Sequence, residues 1–144
     1  MRLSTRSRYA IRALLDLAAN GGEGPVLVRE IAEREDISVR YLEQLLLPLK
    51  AANLVRATRG SSGGFTLAKK PDEITLQEVI RIMEGSTGFT ECVDDPGICL
   101  RADSCVLREA WVEVTDAANE VLQTTTLQKL VERGAGKARD IKKV

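Results

Sequence analysis

Three cysteines lie in one short stretch of the chain that also contains a Pro-Gly pair. Cys92, Cys99 and Cys105 have six and five residues between them. Thiolates on a flexible loop can converge on iron as the soft ligands of a cluster, or on zinc. Without a metal, the same thiols can undergo reversible oxidation. The spacing alone leaves a cluster, zinc and unliganded thiols open.

The composition restricts these alternatives. The chain contains no histidine, so a tetrahedral zinc site would need a carboxylate, solvent or a residue of another chain. An enzyme using Cys99 or Cys105 as its nucleophile would lack the usual base. The N-terminus lacks the apolar core of a secretory signal, and no apolar run approaches the length of a membrane span. We therefore expect a cytoplasmic, non-enzymatic protein that does not contact membranes and whose thiols stay reduced.

The net charge of zero conceals a segregation along the chain. Residues 1–70 contain 12 Lys and Arg against 7 Asp and Glu, whereas residues 71–133 contain 5 against 13. Residues 134–144 are basic again, with 4 against 1. A basic first half attracts polyanions and an acidic middle repels them, so a nucleic acid should contact the first half. Ordinary variation of surface charge is the alternative.

The first half reads as a helix-turn-helix. Apolar residues recur at helical spacing over residues 9–18 and 27–35, and a third helix follows Ser38 with a leucine stripe facing the core. The second helix of such a pair enters the major groove. Its opposite face carries side chains that can contact adenine, guanine, phosphate or cytosine, namely Arg40, Glu43 and Gln44. A merely solvated helix face is the alternative, and Pro48 should interrupt the last turn.

A glycine-rich hairpin follows this helix. Residues 54–59 and 65–67 read as two short strands around Gly60-Ser61-Ser62-Gly63-Gly64. Arg59, directly before the glycine cluster at the tip of the hairpin, can contact a phosphate or the minor groove. A nucleotide-binding loop is excluded because no Gly-Lys-Ser/Thr closes it and no helix begins directly after it. The hairpin is therefore predicted to be the wing of a winged helix.

The second half reads as a helical extension. We predict a mainly α fold with a winged helix-turn-helix head at 1–85, a cysteine-bearing sensor loop at 86–105, a dimerisation helix plus a short terminal helix at 106–133, and a disordered basic tail at 134–144. A heptad-like row on the long helix supplies the dimer seam, at Leu107, Ala110, Val114, Ala117 and Val121.

Several motifs together resemble the Rrf2 family of winged-helix regulators over nearly the whole chain. They are Met-Arg-Leu-Ser-Thr-Arg-Ser-Arg-Tyr-Ala at 1–10, Ser38 with Tyr41-Leu42-Glu43-Gln44-Leu45, Arg59-Gly60 with Gly63-Gly64-Phe65, and Glu78-Val79-Ile80 leading to Glu84-Gly85. The resemblance implies a DNA-binding homodimer whose third helix and wing contact double-stranded operator DNA. By resemblance the DNA-binding residues are Arg40, Tyr41, Glu43, Gln44, Arg59 and Gly60.

The resemblance also implies an iron-sulfur cluster at Cys92, Cys99 and Cys105, with [2Fe-2S] favoured over [4Fe-4S]. Similar proteins complete the site with a histidine three residues after the last cysteine, where this chain has Arg108, whose guanidinium is a poor ligand. Relatives that sense nitric oxide use a partner-supplied aspartate at a position that corresponds here to Arg8. The fourth ligand stays open between an external thiol, an open iron site and a group of side chains that comprises Glu91, Asp94, Asp95, Asp103, Ser104 and Glu109.

The sequence thus predicts a transcriptional regulator, with repression favoured, whose operator affinity is controlled by the cluster. The alternative is a repressor of the same family without a cluster, controlled by thiol oxidation or by a partner protein such as a cysteine-biosynthesis enzyme.

Overall fold

The fold is mainly helical. A computed structural model describes the backbone over residues 2–141 and the side chains over residues 2–137. In chain order its helices and strands are α1 (Thr5–Asn20), α2 (Val28–Glu35), α3 (Val39–Ala51), β1 (Val55–Thr58), β2 (Gly64–Leu67), α4 (Leu76–Glu84), α5 (Glu91–Asp94), α6 (Val106–Thr124) and α7 (Leu127–Ile141). Short 3-10 turns at Pro96–Ile98 and Ala102–Ser104 lie between α5 and α6. The predicted helical fold with a small hairpin is confirmed.

One apolar core joins α1, α3, α4 and the start of α7. Apolar side chains recur every three or four positions along α1 and α3, so each helix buries one stripe. Fully buried members of this core include Leu14, Leu42, Leu45, Leu49, Ile74, Val79 and Leu127. Burying each large aliphatic side chain contributes about 1.5–3 kcal/mol to stability. Burial of this core therefore supplies most of the free energy that holds α3 in place.

Hydroxyl side chains cap three of the four helices of the head, residues 2–85, namely α1, α3 and α4. Ser38 Oγ accepts the Tyr41 N–H at 3.2 Å, and Thr75 Oγ1 accepts the Glu78 N–H at 3.2 Å. Such caps satisfy amides that have no partner inside the helix. The predicted interruption at Pro48 is wrong, because α3 continues to Ala51. Buried leucines on both sides of Pro48 hold the helix together despite the missing N–H.

The wing is an antiparallel pair in which Val55 faces Leu67 and Thr58 faces Gly64. Phe65 also exchanges two backbone hydrogen bonds with Val26, at 2.9 and 2.8 Å, which fastens β2 to the segment before α2. Gly64 has φ +148°, and a Cβ there would lie 2.3 Å from the Val26 oxygen. Only glycine permits this approach. The strands lie within one residue of their predicted bounds.

The last helix differs from its prediction. It was expected to end at Arg133 and to be followed by a disordered tail at 134–144, but α7 extends to Ile141. Backbone hydrogen bonds fasten its start to the head, from Leu127 N to Ile74 O at 3.0 Å and from Gln128 N to Pro71 O at 3.1 Å. Alanine, lysine and arginine, which favour helices, surround two glycines that cost about 1 kcal/mol each. Residues 142–144 lie outside the described residues.

Candidate nucleic-acid interface and cysteine segment

The helix-turn-helix is formed by α2 and α3. Asp36 ends α2 in the left-handed conformation at φ 52°, and the Ile37 N–H bonds to the Ala32 oxygen at 3.0 Å. This turn is tight enough to set α3 directly beside α2. The predicted DNA-contacting residues of α3, Arg40, Glu43 and Gln44, are exposed. Their exposure follows from the burial of the leucine stripe on the other side of the helix.

Tyr41 differs from these neighbours because its ring is half-buried. It packs edge-to-face on Tyr9 of α1, with ring centroids 6.0 Å apart. The Arg12 guanidinium lies 5.0 Å from the centre of the Tyr9 ring and also bonds to Glu35 Oε2 at 2.7 Å. Tyr41 therefore helps to dock the first turn of α3 on α1. Its contact with DNA stays a prediction.

The tip of the wing is open to solvent. Arg59 and Gly60 are exposed, and Gly60 adopts φ +107°. Gly63 is buried, and a Cβ there would lie 2.2 Å from the Thr58 oxygen. The glycines thus let the hairpin close on itself, which leaves the Arg59 side chain at the outer end of the wing. Contact between Arg59 and a phosphate stays a prediction.

A groove of about 470 Å³ separates α3 from the wing strand β2. Arg40, Glu43 and Gln44 line it together with Phe65 of the wing. The structure thus places the predicted base-contacting side chains beside the predicted wing. Lys50 also lines the groove and is exposed, but it was not among the predicted DNA-binding residues. Its position two turns after Glu43 is the pattern that could have indicated it.

The cysteine segment, residues 86–105, is fastened to α6 at its entry. Phe89 stacks on Trp111, with ring centroids 5.1 Å apart and planes at 26°. The Phe89 N–H also donates to the buried Thr115 hydroxyl at 3.0 Å. Arg108 Nε donates to the Cys92 carbonyl oxygen at 2.8 Å. These contacts connect α5 and its cysteine to the first turns of α6.

All three cysteines are free thiols. Cys92 and Cys105 are half-buried and Cys99 is exposed. Cys105 immediately precedes α6 as its N-cap residue, and Cys92 Sγ lies 3.2 Å from Thr90 Oγ1. In the described part of the chain, no group of three or more cysteine or carboxylate side chains is close enough to hold a metal ion. The donor set fits an iron-sulfur cluster in its chemistry, but the segment would have to close to gather the thiols.

Two of the candidate fourth ligands already have other partners. The Asp94 carboxylate accepts a short hydrogen bond from the Ser86 hydroxyl, and Asp95 Oδ1 accepts the Gly97 N–H at 2.9 Å. A Cβ on Gly88 would collide with Asp94, so the turn before α5 is built around this carboxylate. The remaining candidates are exposed, at Glu91, Asp103, Ser104 and Glu109.

The predicted seam on α6 faces solvent in the single chain. Leu107, Val114 and Val121 are 62%, 44% and 64% exposed. They are seven residues apart, so they form one row along the helix. Trp111 lies beside this row on the helix and stacks on Phe89, which makes it part of the wall of the cysteine segment. A row of exposed apolar residues of this length marks a surface that another chain can cover.

Comparison with known proteins identifies the family. Residues 3–133 match the profile of Rrf2, described as an iron-dependent transcriptional regulator. The chain belongs to the Rrf2 family. The transcriptional regulator CymR of Bacillus subtilis is 39% identical over 130 residues, 90% of this chain and 89% of that protein. The regulator IscR of Pectobacterium carotovorum is 39% identical over 131 residues, 91% of this chain and 79% of that protein.

Solved structures of Rrf2-family relatives agree. The structure of CymR, the global cysteine regulator of B. subtilis, superposes with a TM-score of 0.78 at 38% identity, covering 92% of this chain and 98% of that one. The structure of T. potens IscR gives 0.76 at 36% identity, covering 93% and 88%. The protein is therefore an Rrf2-family transcriptional regulator with a winged-helix fold, and its relatives are regulators rather than enzymes. No helix described over residues 2–141 is long and apolar enough to cross a membrane.

Proposed function

We propose that this Rrf2-family regulator is a cytoplasmic, homodimeric repressor whose affinity for operator DNA is set by an iron-sulfur cluster at Cys92, Cys99 and Cys105. The observation that carries the proposal is the position of three free cysteines on the segment between the DNA-binding head and α6. A [2Fe-2S] cluster is favoured over [4Fe-4S], and its fourth ligand is undetermined.

The exposed face of α3 supports the proposal that the protein binds operator DNA. Arg40, Glu43 and Gln44 lie beside the wing in one groove, with Arg59 exposed at the wing tip. Two such heads, related by a twofold axis, fit a pseudo-palindromic site with one α3 in each major groove. Phosphate contacts by the basic residues position the protein, and contacts with base edges select the sequence.

The contacts between the cysteine segment and α6 support the proposed control of operator affinity by the cluster. Thr115 and Arg108 fasten the first part of the cysteine segment to α6, and this part follows α4, which packs against α1. A change in the order of residues 92–105 therefore acts on the connection between the head and the seam helix. When bound, a cluster supplies a cross-link that depends on iron supply and oxidation. A coupling of about 1–3 kcal/mol would change operator affinity by about 5- to 150-fold.

The first experiment is a visible absorption spectrum of protein purified anaerobically from iron-replete cells, with iron and sulfide assayed on the same sample. Thiolate-ligated clusters absorb at roughly 320–460 nm. We expect this absorption, with iron and sulfide in matching amounts, and its loss in a triple Cys→Ala variant. Operator affinity should then differ between the loaded and the stripped protein. A triple variant with unchanged affinity under every redox condition would contradict the proposal.

A second candidate function has a specific observation in its favour. The described residues contain no assembled group of metal ligands, and Cys99 is exposed to oxidants. A relative solved as oxidised Staphylococcus aureus CymR is 33% identical with a TM-score of 0.74. A cluster-free repressor would be colourless and indifferent to iron. It would instead respond to hydrogen peroxide, or to a partner protein such as a cysteine-biosynthesis enzyme.

A further inference from the structure

An exposed leucine lies in the middle of the predicted DNA-facing surface. Leu47 is 66% exposed, whereas the other large apolar side chains that are exposed in residues 2–85, Leu27 and Val39, are 37% and 40% exposed. Single exposed apolar residues are common and need no explanation by themselves. Leu47 is unusual because the exposed residues one turn before it are Glu43 and Gln44, and the exposed Lys50 and Ala51 lie one turn after it.

Helical spacing puts Leu47 on the same face as the predicted base-contacting residues. It follows Gln44 by three positions and Glu43 by four, and Lys50 comes three positions later. Residues at these separations are neighbours on a helix surface. With a rise of about 1.5 Å per residue, Leu47 lies about 4.5 Å beyond Gln44 along the axis. Successive base pairs are about 3.4 Å apart, so in a major groove followed by α3 the two side chains would lie opposite base pairs one or two steps apart.

The groove between α3 and β2 is partly apolar at this point. Leu46, Leu47 and Phe65 line it together with the charged side chains of Arg40, Glu43 and Lys50. The two positive side chains can approach DNA phosphates. In the major groove, the apolar group that a base edge offers is the 5-methyl group of thymine. The groove and the methyl group are thus complementary in polarity and in position.

We infer that Leu47 is a specificity-determining residue that contacts a thymine 5-methyl group in each half-site of the operator. The inference rests on the proposed use of α3 as the major-groove helix. It goes further because it assigns one base, thymine, to one side chain. Leu47 carries no hydrogen bond and no charge, so its contribution is confined to that methyl group.

The test begins with the full-length protein and a pool of duplexes that carry a random core of about 30 base pairs, about three helical turns. Selection from this pool yields the preferred sequence. Each thymine in that sequence is then replaced by uracil, which removes the methyl group and keeps base pairing. We expect one symmetric position where replacement weakens binding about fourfold per half-site, the effect of one buried methyl group.

Three variants assign the effect to a side chain. L47A should bind the thymine and uracil duplexes equally, and L47M should keep most of the preference because it keeps the apolar contact. K50A should weaken binding to both duplexes but leave their ratio unchanged. Leu47 is exposed and alanine favours helices, so L47A should fold like the wild type, which circular dichroism verifies.

The possible results distinguish a failure of the Leu47–thymine contact from a failure of the proposed DNA-binding function. If the wild type enriches a sequence but no thymine-to-uracil replacement matters, or if L47A keeps the preference, the inference is wrong and the DNA-binding proposal stands. If L47A binds every duplex as the wild type does, the groove serves another ligand and the inference is also wrong. If no sequence is enriched, sequence-specific binding fails and the inference fails with it.

Discussion

Arg108 on α6 donates a hydrogen bond from Nε to the backbone carbonyl oxygen of Cys92, at 2.8 Å. The arginine stands three residues after Cys105, where the resemblance to cluster-binding regulators would lead one to expect a histidine ligand. Its guanidinium is always protonated and cannot act as a ligand, but it fixes the position of Cys92 relative to the first turn of α6. One side chain thus connects the helix that begins after Cys105 to the segment that holds Cys92.

Removing this arginine should release Cys92. In R108A we expect iodoacetamide to alkylate Cys92 several times faster than in the wild type, because a charge-assisted hydrogen bond between α5 and α6 is lost. Peptide mass spectrometry measures the rate on reduced, metal-free protein, with the exposed Cys99 as an internal standard. The control is R101A, which removes an exposed arginine of the same segment. An unchanged Cys92 rate in R108A would show that other contacts hold this cysteine.

The carboxylate of Glu84, at the end of α4, should make the stability of the fold depend on pH. Hydrogen bonds from Ser4 and from the buried Ser7 hydroxyl hold the pKa of Glu84 below its ordinary value of 4.5. A carboxylate with a depressed pKa stabilises the fold above its unfolded-state pKa, and this contribution is lost as the pH falls through the folded-state pKa. Glu84 therefore stabilises the contact between α1 and the end of α4 at neutral pH.

We expect E84Q to lower the free energy of unfolding by about 1 kcal/mol at pH 7, at the low end for a charged hydrogen bond because Glu84 is exposed. The deficit should shrink as the pH falls below 4.5. Urea unfolding at several pH values measures it. E33Q, which neutralises an exposed glutamate of α2, should show no such trend. A deficit that is independent of pH would exclude titration of Glu84 as its source.

Local sequence patterns predict most of the head. The leucines of α3 repeat with the helical period and Ser38 is a good N-cap, so this helix was predicted close to its observed start. The glycine cluster predicted the hairpin because glycines between two short strand-like runs mark a tight turn. Each of these signals is confined to one element and needs no knowledge of the rest of the fold.

Contacts between distant residues explain what the sequence did not predict. Tyr41 was assigned to DNA alone, yet its ring packs on Tyr9, 32 positions earlier. The tail after Arg133 was predicted to be disordered, but α7 continues to Ile141. No local pattern connects Arg108 with Cys92 or Asp94 with Ser86. These contacts depend on where the segments lie after folding.

The ion pair between α1 and α2, whose carboxylate is buried, should be more important for stability than a pair whose carboxylate is partly exposed. The Asp16 side chain is 3% exposed and accepts two hydrogen bonds from Arg34, at 2.7 and 2.8 Å. In R34M the carboxylate stays buried without its partner, and we expect a loss of about 3 kcal/mol. The matched change K69M removes the Lys69–Glu78 pair, both about one-third exposed, and should cost less than about 1 kcal/mol. Equal losses in urea unfolding would refute this ranking.

Arg59 should contribute to operator binding through phosphate. We expect R59A to weaken binding to the selected and to unrelated duplexes by similar factors, and to lower the slope of log affinity against log salt by about 1 per subunit. Fluorescence anisotropy over a range of salt concentrations measures both. The control R81A removes an exposed arginine of α4. A loss confined to one base pair of the operator would instead make Arg59 a base-reading residue.

The exposed row on α6 should be the dimer contact. In a parallel or antiparallel pair of α6 helices, Val114 and Val121 of one chain would lie close to the same row of the other, so glutamates there would bring like charges together in an apolar seam. We expect V114E/V121E to sediment as a monomer and to lose most of its operator affinity, because two linked heads bind two half-sites far more tightly than one head binds one. Q123E adds a negative charge on the opposite side of the helix and should stay dimeric. A dimeric V114E/V121E protein would place the interface elsewhere, and the seam would then be free to contact a different partner.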